Sequence, residues 1–140
     1  MWKMKFLLFV LGMLPSIAFA QDMKVLKVID GDTIVISAPF LPEPLHKHLY
    51  LRINGVDTPE KGRRAQCKAE SDKSLQAMYY TQQEISSAKN IKIELIKWDK
   101  YGGRVLGDLV LDGKYLSTKL LEAGYAREYR GEKKKSWCRL

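Results

Sequence analysis

The apolar residues of this chain fall into short runs with the spacing of strands and longer runs with the spacing of helices. Two β-branched runs, 24–29 and 33–37, flank an Asp-Gly pair, which is typical of a tight hairpin turn. The next run, 48–54, alternates strictly between apolar and polar residues, so one of its faces is apolar. Arg52 lies on the opposite face, where a charged side chain can line a site.

A helical segment and two further strands follow. Residues 65–88 have the composition of a helix, with apolar residues roughly on one stripe: Cys67, Leu75, Met78 and Ile85. Residues 91–97 and 104–111 are again predicted strands, and 115–123 is a short predicted helix closed by a glycine. This order is that of an OB-type barrel. We therefore predict a mainly β fold with helices (α+β): a five-stranded OB-fold barrel with a helix between strands 3 and 4 and a short C-terminal helix.

The first 20 residues have the pattern of an export signal. A basic start precedes an apolar run that ends at Pro15, and Ala18-Phe19-Ala20 fits the small-x-small cleavage rule. The run is too short for a membrane-spanning helix, which needs about 20 apolar residues. We interpret 1–20 as a cleaved signal and 21–140 as one domain. The protein is then expected to be periplasmic or secreted, without stable membrane association after cleavage.

The charge of the chain favours a polyanionic partner. It has 24 basic and 16 acidic residues, a formal net charge of +8, and only Lys3 and Lys5 of the basic residues lie in the signal. A basic surface attracts nucleic acid or an anionic membrane face. Within this excess, Lys133-Lys134-Lys135 is interpreted as a solvated tail with a minor electrostatic contribution to polyanion binding.

The chain has two cysteines, Cys67 and Cys138. Export would bring both into a compartment that permits disulfides. A bridge closing so long a loop would stabilise the fold by about 4 kcal/mol on the chain-entropy view. The alternative is two unrelated thiols, one buried and one loose in the tail. With exactly two cysteines in an exported chain, the bridge is the favoured interpretation.

Three short clusters combine acidic residues with arginines. They are Asp30-Gly31-Asp32, then Arg52 with Asp57-Thr58-Pro59-Glu60, then Asp99-Lys100-Tyr101-Gly102-Gly103-Arg104. Converging carboxylates can hold a hard divalent cation, and guanidinium groups match phosphate oxygens. A cation, a base and arginines are what phosphodiester hydrolysis requires, so the clusters indicate a metal-dependent nuclease.

The first and third clusters also have a purely structural interpretation. Asp30 and Gly31 can serve hairpin geometry alone, whereas Asp32 begins the returning strand. The segment 99–104 can be a polar hairpin loop. The second cluster has no obvious packing role, because Lys61-Gly62 argues against a helix that starts there.

Taken together, the three clusters resemble the staphylococcal nuclease (thermonuclease) family, in order and in separation. The resemblance runs from about residue 24 to about residue 129. It implies an OB-fold barrel and calcium-dependent cleavage of DNA and RNA. Because contacts confined to phosphate carry no base information, it also implies little sequence selectivity.

The same resemblance assigns roles by motif match. The residues that would bind the calcium ion are Asp32, Asp57 and, through its carbonyl, Thr58. Asp30 would support these ligands without binding the ion itself. Those that would act on the phosphate are Glu60 as general base and Arg52 and Arg104 as charge-stabilising groups. Those near the substrate would be Lys100, Tyr101 and Tyr129.

One departure from the family pattern concerns the third cluster. The usual turn is Asp-x-Tyr-Gly-Arg, and this chain has an extra glycine, Gly103, before Arg104. A shift of one residue along a strand reverses the face that a side chain occupies. We predict that the turn bulges at Gly102-Gly103 and returns Arg104 to the site. Otherwise the role falls to Lys100 or is lost.

Two functions other than a nuclease stay open. One is a non-catalytic nucleic-acid-binding OB module, and the other is a secreted cation-binding structural domain. A binding module is expected to lose some of the residues that carry chemistry: Asp32, Arg52, Asp57, Glu60 and Arg104. All are present, and the arginines would have no purpose in a cation-binding domain. The favoured function is therefore a nuclease that acts on DNA and RNA as a monomer.

Overall fold

The computed structural model describes residues 23–138. The predicted export signal, 1–20, lies outside the described residues and stays a prediction. Within the described range, no helix is long and apolar enough to cross a membrane.

The described residues form strands and helices close to those predicted. The strands are β1 (Val25–Asp30), β2 (Thr33–Ser37), β3 (His48–Ile53), β4 (Val56–Asp57), β5 (Ile91–Trp98), β6 (Arg104–Leu111), β7 (Lys114–Tyr115) and β8 (Arg127–Glu128). The helices are α1 (Lys68–Ser87) and α2 (Leu116–Glu122), with a 3-10 turn at Gly62–Arg64. The sequence did not predict β4, β7 and β8, because a strand of two residues leaves no periodic pattern.

The long strands form one sheet in the order β1-β2-β3-β6-β5, with β7 added to β6, while β4 and β8 pair separately. The β3–β6 pairing is parallel, and the other pairings are antiparallel. Register shifts interrupt β1 and β5, and such bulges bend a strand. Helix α1 connects the third and fourth long strands. The predicted mixed α+β, OB-type fold is thereby confirmed.

The core lies between the inward faces of the sheet and the helices. Its buried side chains come from alternate residues of the strands and from one face of α2: Ile34, Ile36, Leu49, Leu51, Ile53, Val105, Leu109, Leu111, Leu116 and Leu120. Because successive side chains of a strand point to opposite faces, the burial of Leu51 and Ile53 puts Arg52 on the other side of β3.

The buried face of α1 agrees only in part with the apolar stripe that the sequence indicated. Ile85 of that stripe packs against the core. Leu75 is 45% exposed, and Cys67 precedes the helix as its N-cap. The residues that α1 buries are Glu70, Ser74, Ala77 and Thr81. From Ser74 to Thr81 this face has small side chains, where the helix approaches the β1–β2 turn very closely.

Gly31 shows how close this approach is. A Cβ atom added there would lie 2.9 Å from the Cβ of Ala77 and 3.1 Å from the Cγ2 of Thr58. The hydroxyl of Thr81 donates a hydrogen bond of 2.7 Å to the carbonyl of Gly31. The helix therefore fixes the turn that carries Asp30 and Asp32.

The end of the described chain folds back over the start of α1. Cys138 forms a disulfide with Cys67, as the sequence predicted. Trp137 is buried, and the guanidinium carbon of Arg127 lies 3.9 Å from its ring centroid. We call residues 133–138 the strap, since Trp137 is buried in the fold and Cys138 is bonded to Cys67.

Candidate active site

A cleft of about 1000 Å³ opens beside the β1–β2 turn, the end of β3 and the start of β6. Nine of the ten residues to which the sequence assigned a role line it: Asp30, Asp32, Arg52, Thr58, Glu60, Lys100, Tyr101, Arg104 and Tyr129. Asp57 lines a small adjoining pocket beneath the strap instead. The fold thus brings residues from three separate clusters into one place.

Asp32 and Arg52 meet because β2 and β3 are paired. Thr33 lies opposite Arg52, and the amide of Ile53 donates to the carbonyl of Asp32 at 2.8 Å. This register puts an Arg52 terminal nitrogen 3.1 Å from the Oδ2 of Asp32. Both side chains are largely buried, so their ion pair is poorly screened by solvent.

The Asp57 carboxylate lies on the other side of the same guanidinium. The second terminal nitrogen of Arg52 is 3.8 Å from the Oδ1 of Asp57. Short strand β4 positions this residue by pairing Asp57 with Arg127 of β8. The indole N–H of Trp137 also donates to the Oδ2 of Asp57 at 3.4 Å. One arginine therefore holds two buried carboxylates close together.

Burial changes the protonation equilibrium of Asp32. Desolvation raises the pKa of this carboxyl above its ordinary value of 3.8, and the Arg52 charge and the Thr58 amide lower it only in part. The carboxylate form is therefore costly at this position. Another positive charge at the site would reduce that cost.

Thr58 and Asp30 lie next to this pair. The backbone N–H of Thr58 donates to the Oδ2 of Asp32 at 3.3 Å. Asp30 forms ion pairs with Lys61 at 3.1 Å and with Arg64 at 3.5 Å. The charge of Asp30 is thus balanced at the edge of the cleft by residues that follow Glu60 in the chain.

Glu60 is partly exposed on the cleft wall. Its carboxylate lies 3.2 Å from the Nε of Arg64 and 3.2 Å from the Nζ of Lys134. Because these cations hold the Glu60 carboxylate in place and part of it is exposed, a water molecule in the cleft can contact it.

The turn between β5 and β6 brings the second arginine to the cleft despite the extra glycine. Gly103 has a φ of 74°, a left-handed conformation that glycine adopts without steric cost. Its carbonyl accepts a hydrogen bond from the amide of Tyr50 at 3.1 Å. The Nε of Arg104 pairs with the carboxylate of Asp99, and Arg104 lines the cleft. The inserted residue is thus accommodated within the turn.

Two tyrosines border the cleft. Tyr101 is 56% exposed, and the guanidinium carbon of Arg104 lies 4.8 Å from its ring centroid. The ammonium of Lys100 lies 5.4 Å from the same ring. On the other side, the ammonium of Lys134 is 5.5 Å from the ring of Tyr129. Both rings are therefore next to cationic groups.

The interpretation of residues 133–135 as a solvated tail is wrong for Lys134. Its ammonium lies 2.9 Å from the Oδ1 of Asp57 and within ion-pair distance of Glu60. Desolvation lowers the pKa of Lys134, but the hydrogen bond and the charge of Asp57 outweigh it, so the net pKa is raised. The Lys134 side chain is still 39% exposed, and Lys133 and Lys135 are exposed, as predicted. The sequence feature that could have indicated this contact is Cys138, because its disulfide with Cys67 fixes the end of the tail near the site.

The donor set of this site consists of oxygen atoms. No group of three or more His, Cys, Asp or Glu side chains within residues 23–138 is arranged to hold a metal ion. Asp32 and Asp57 are the two buried carboxylates at the site. The Oδ1 of Asp57 is buried, and the charged groups that approach it are the ammonium of Lys134 at 2.9 Å and the guanidinium of Arg52 at 3.8 Å.

The chain matches the model of a known protein family. The family model described as staphylococcal nuclease homologue matches residues 50–138, which is more than half of the chain. The match covers Arg52, the second and third clusters and the strap. A search of curated proteins finds no match.

Proposed function

This chain belongs to the family of staphylococcal nuclease homologues, and from that premise we propose that it is a nuclease that hydrolyses phosphodiester bonds in DNA and RNA. The observation that carries the proposal is the convergence of two arginines and three carboxylates from distant parts of the chain: Arg52, Arg104, Asp32, Asp57 and Glu60. Neither packing nor a hairpin turn requires this combination.

Calcium is the cofactor that we propose, and the residues present fit it. Asp57 has a buried carboxylate oxygen that is approached by cationic groups, and the buried carboxylate of Asp32 lies on the same arginine. Hard oxygen donors suit calcium better than zinc. Asp32 and Asp57 would hold the ion, with Thr58 contributing its carbonyl. A bound cation of this kind offsets the negative charge that develops on the phosphate.

The arginines are suited to bind the phosphate itself. Guanidinium groups form bidentate hydrogen bonds to phosphate oxygens, and such bonds strengthen as charge develops in the transition state. Arg52 is held in place by Asp32 and Asp57, and Arg104 by Asp99. Because their partners fix them before substrate binds, little reorganisation is needed during the reaction.

Glu60 is the proposed general base. It lies on the cleft wall and is partly exposed, so a water molecule can reach it. A general base must come within hydrogen-bond distance of the proton that it takes. In this role Glu60 takes or orients the proton of the water that attacks the phosphorus.

Low sequence selectivity follows from these roles. Arg52 and Arg104 address phosphate oxygens, which are the same at every nucleotide. Tyr101 and Tyr129, with Lys100 beside them, lie where they can contact the rest of the substrate. Aromatic stacking tolerates every base, so these contacts also discriminate weakly.

The test is cleavage of plasmid DNA, single-stranded DNA and RNA by the purified chain 21–140, with calcium or with chelator. Calcium should restore activity after chelation. Glu60→Gln should lower turnover by about 10²–10⁴ while calcium affinity is retained, since a general base contributes about that much. Asp57→Asn should weaken calcium binding as well as turnover. Glu128→Gln is the matched control, because Glu128 also lines the cleft but has no proposed role.

Each outcome separates the alternatives. If chelated protein cuts DNA at the full rate, the calcium proposal is wrong. If the chain binds DNA but cleaves none of the substrates with calcium, it is instead a non-catalytic nucleic-acid-binding module.

We also propose that the protein is exported, to a periplasm or to the medium, and acts as a monomer. The basic and apolar pattern of residues 1–20 supports export. The disulfide between Cys67 and Cys138 agrees with it, because such bonds persist mainly in oxidising compartments.

A further inference from the structure

We propose that Lys134 is a built-in counter-ion of the site, which competes with the divalent cation for Asp57 and Glu60 and thereby sets the cation affinity. The disulfide-bonded strap holds it there. This inference rests on the proposed function, because it concerns the same cation site.

The contacts of Lys134 are with the carboxylates that matter most to the proposed chemistry. Its ammonium lies 2.9 Å from the Oδ1 of Asp57 and 3.2 Å from the Oε1 of Glu60. The first of these oxygens is buried, so this ammonium is its close charged partner. A cation that binds Asp57 through this oxygen must therefore displace the ammonium.

The position of Lys134 between the two cavities supports the same conclusion. Lys134 lines both the large cleft and the small pocket beneath the strap, whereas Asp57 lines only the small pocket. The ammonium contacts Asp57 of the small pocket and Glu60 of the cleft, so Lys134 lies where the two cavities adjoin.

The strap limits how far Lys134 can move away. Trp137, three residues later, is buried and donates its indole N–H to Asp57. The carbonyl of Ser136 accepts a hydrogen bond of 2.6 Å from Arg127. Cys138 is bonded to Cys67, the N-cap of α1. A lysine on a free tail would spend little time at one carboxylate, because its side chain and backbone would lose entropy on binding.

Calcium affinity measured by isothermal titration calorimetry tests the proposal directly. In the oxidised chain 21–140, Lys134→Gln should lower the calcium Kd by about three- to tenfold, the order expected when two partly exposed ion pairs no longer compete. Lys133→Gln and Lys135→Gln remove the same charge from exposed neighbours on the strap. Their calcium Kd should stay close to that of the wild type, and thermal melting should verify that all variants are folded.

A second comparison tests the role of the disulfide. In a chain that carries Cys67→Ser and Cys138→Ser, the strap is no longer fixed, and Lys134→Gln should change the calcium Kd no more than the control substitutions do. A Lys134→Gln effect of the same size with and without the disulfide would overturn the proposal that the bond holds the lysine in place. If the chain without cysteines does not fold, the comparison in the oxidised chain decides the role of Lys134 by itself.

Failure of this inference and failure of the proposed function give different results. If neither the wild type nor Lys134→Gln binds calcium, the calcium site itself is wrong. If the wild type binds calcium and Lys134→Gln binds it no more tightly than the control variants, the site stands and the competition by Lys134 is wrong.

Discussion

Replacing Gly31 by alanine tests the close approach of α1 to the β1–β2 turn, on which the position of Asp32 depends. Gly31 does not have a positive φ, so alanine adds no backbone strain there. The added Cβ would lie 2.9 Å from the Cβ of Ala77 and 3.1 Å from the Cγ2 of Thr58. The Cβ of Ala77 is bonded directly to the backbone and cannot rotate away. The helix or the turn must therefore shift.

The expected cost follows from what must move. Overpacking a well-packed site typically destabilises a protein by about 1–3 kcal/mol. For a domain of this size, about 1 kcal/mol corresponds to about 3–5 °C in melting temperature. Gly31→Ala should therefore melt about 3–15 °C below the wild type. A weakened hydrogen bond from Thr81 to the carbonyl of Gly31 would add to the cost.

The assay is thermal melting of the oxidised protein followed by circular dichroism, with urea titration for the free energy of unfolding. Gly102→Ala is the matched control, because a Cβ at Gly102 meets nothing within 4 Å and its φ is not positive. It should be neutral, or stabilising by up to about 1 kcal/mol. Ala77→Gly removes the opposing Cβ and by itself costs about 1 kcal/mol through helix propensity.

The double variant decides whether the clash is the cause. In Gly31→Ala with Ala77→Gly, the two costs should be less than additive by about 1 kcal/mol, since the tightest contact is removed while the 3.1 Å contact with Thr58 remains. If Gly31→Ala has the melting temperature of the wild type, or if the two costs simply add, the close packing of α1 on the turn is not what makes alanine unfavourable at position 31.

Three further predictions concern the site, the cysteines and export. Arg104→Ala should lower turnover by about 10²–10³, as much as Arg52→Ala, while the fold and calcium binding survive. If Lys100→Ala loses turnover and Arg104→Ala keeps it, the role of the second arginine is misassigned. Thiol labelling of the denatured, unreduced protein should detect almost no free thiol, and two labelled thiols would contradict the bridge. Intact mass of the exported protein should show Gln21 at its N-terminus, whereas a retained Met1 would argue against signal cleavage.

The parts of the fold that the sequence predicted correctly depend on local patterns. Alternation predicted β3 and the outward position of Arg52, because side-chain direction in a strand follows directly from sequence parity. The order of strands and helices along the chain was enough to predict an OB-type fold, whereas the pairing order within the sheet was not predicted. The three clusters could be identified because carboxylates and arginines that have no packing role stand out in a short chain.

The parts that were missed depend on contacts between distant residues. The buried face of α1 has a small side chain at Ala77 because of the turn at Gly31, far away in sequence, and an apolar stripe cannot reveal this. A run of lysines usually lies in solvent, so its composition gave no sign that Lys134 contacts Asp57. That contact follows from a disulfide, from a buried tryptophan and from two-residue strands. None of these leaves a periodic signal.

The burial of Arg52 between two carboxylates gives the site two different responses to ionic strength. Ions in solution screen exposed charges over about 8–10 Å but act far less on buried pairs. The Arg52–Asp32 pair is therefore largely independent of salt, because both of its side chains are shielded. Lys100 and Lys133 are exposed, and attraction of a polyanion to such residues weakens as counterions compete. Salt is thus expected to weaken the attraction of a polyanion to the exposed lysines while it leaves the Arg52–Asp32 pair largely unchanged.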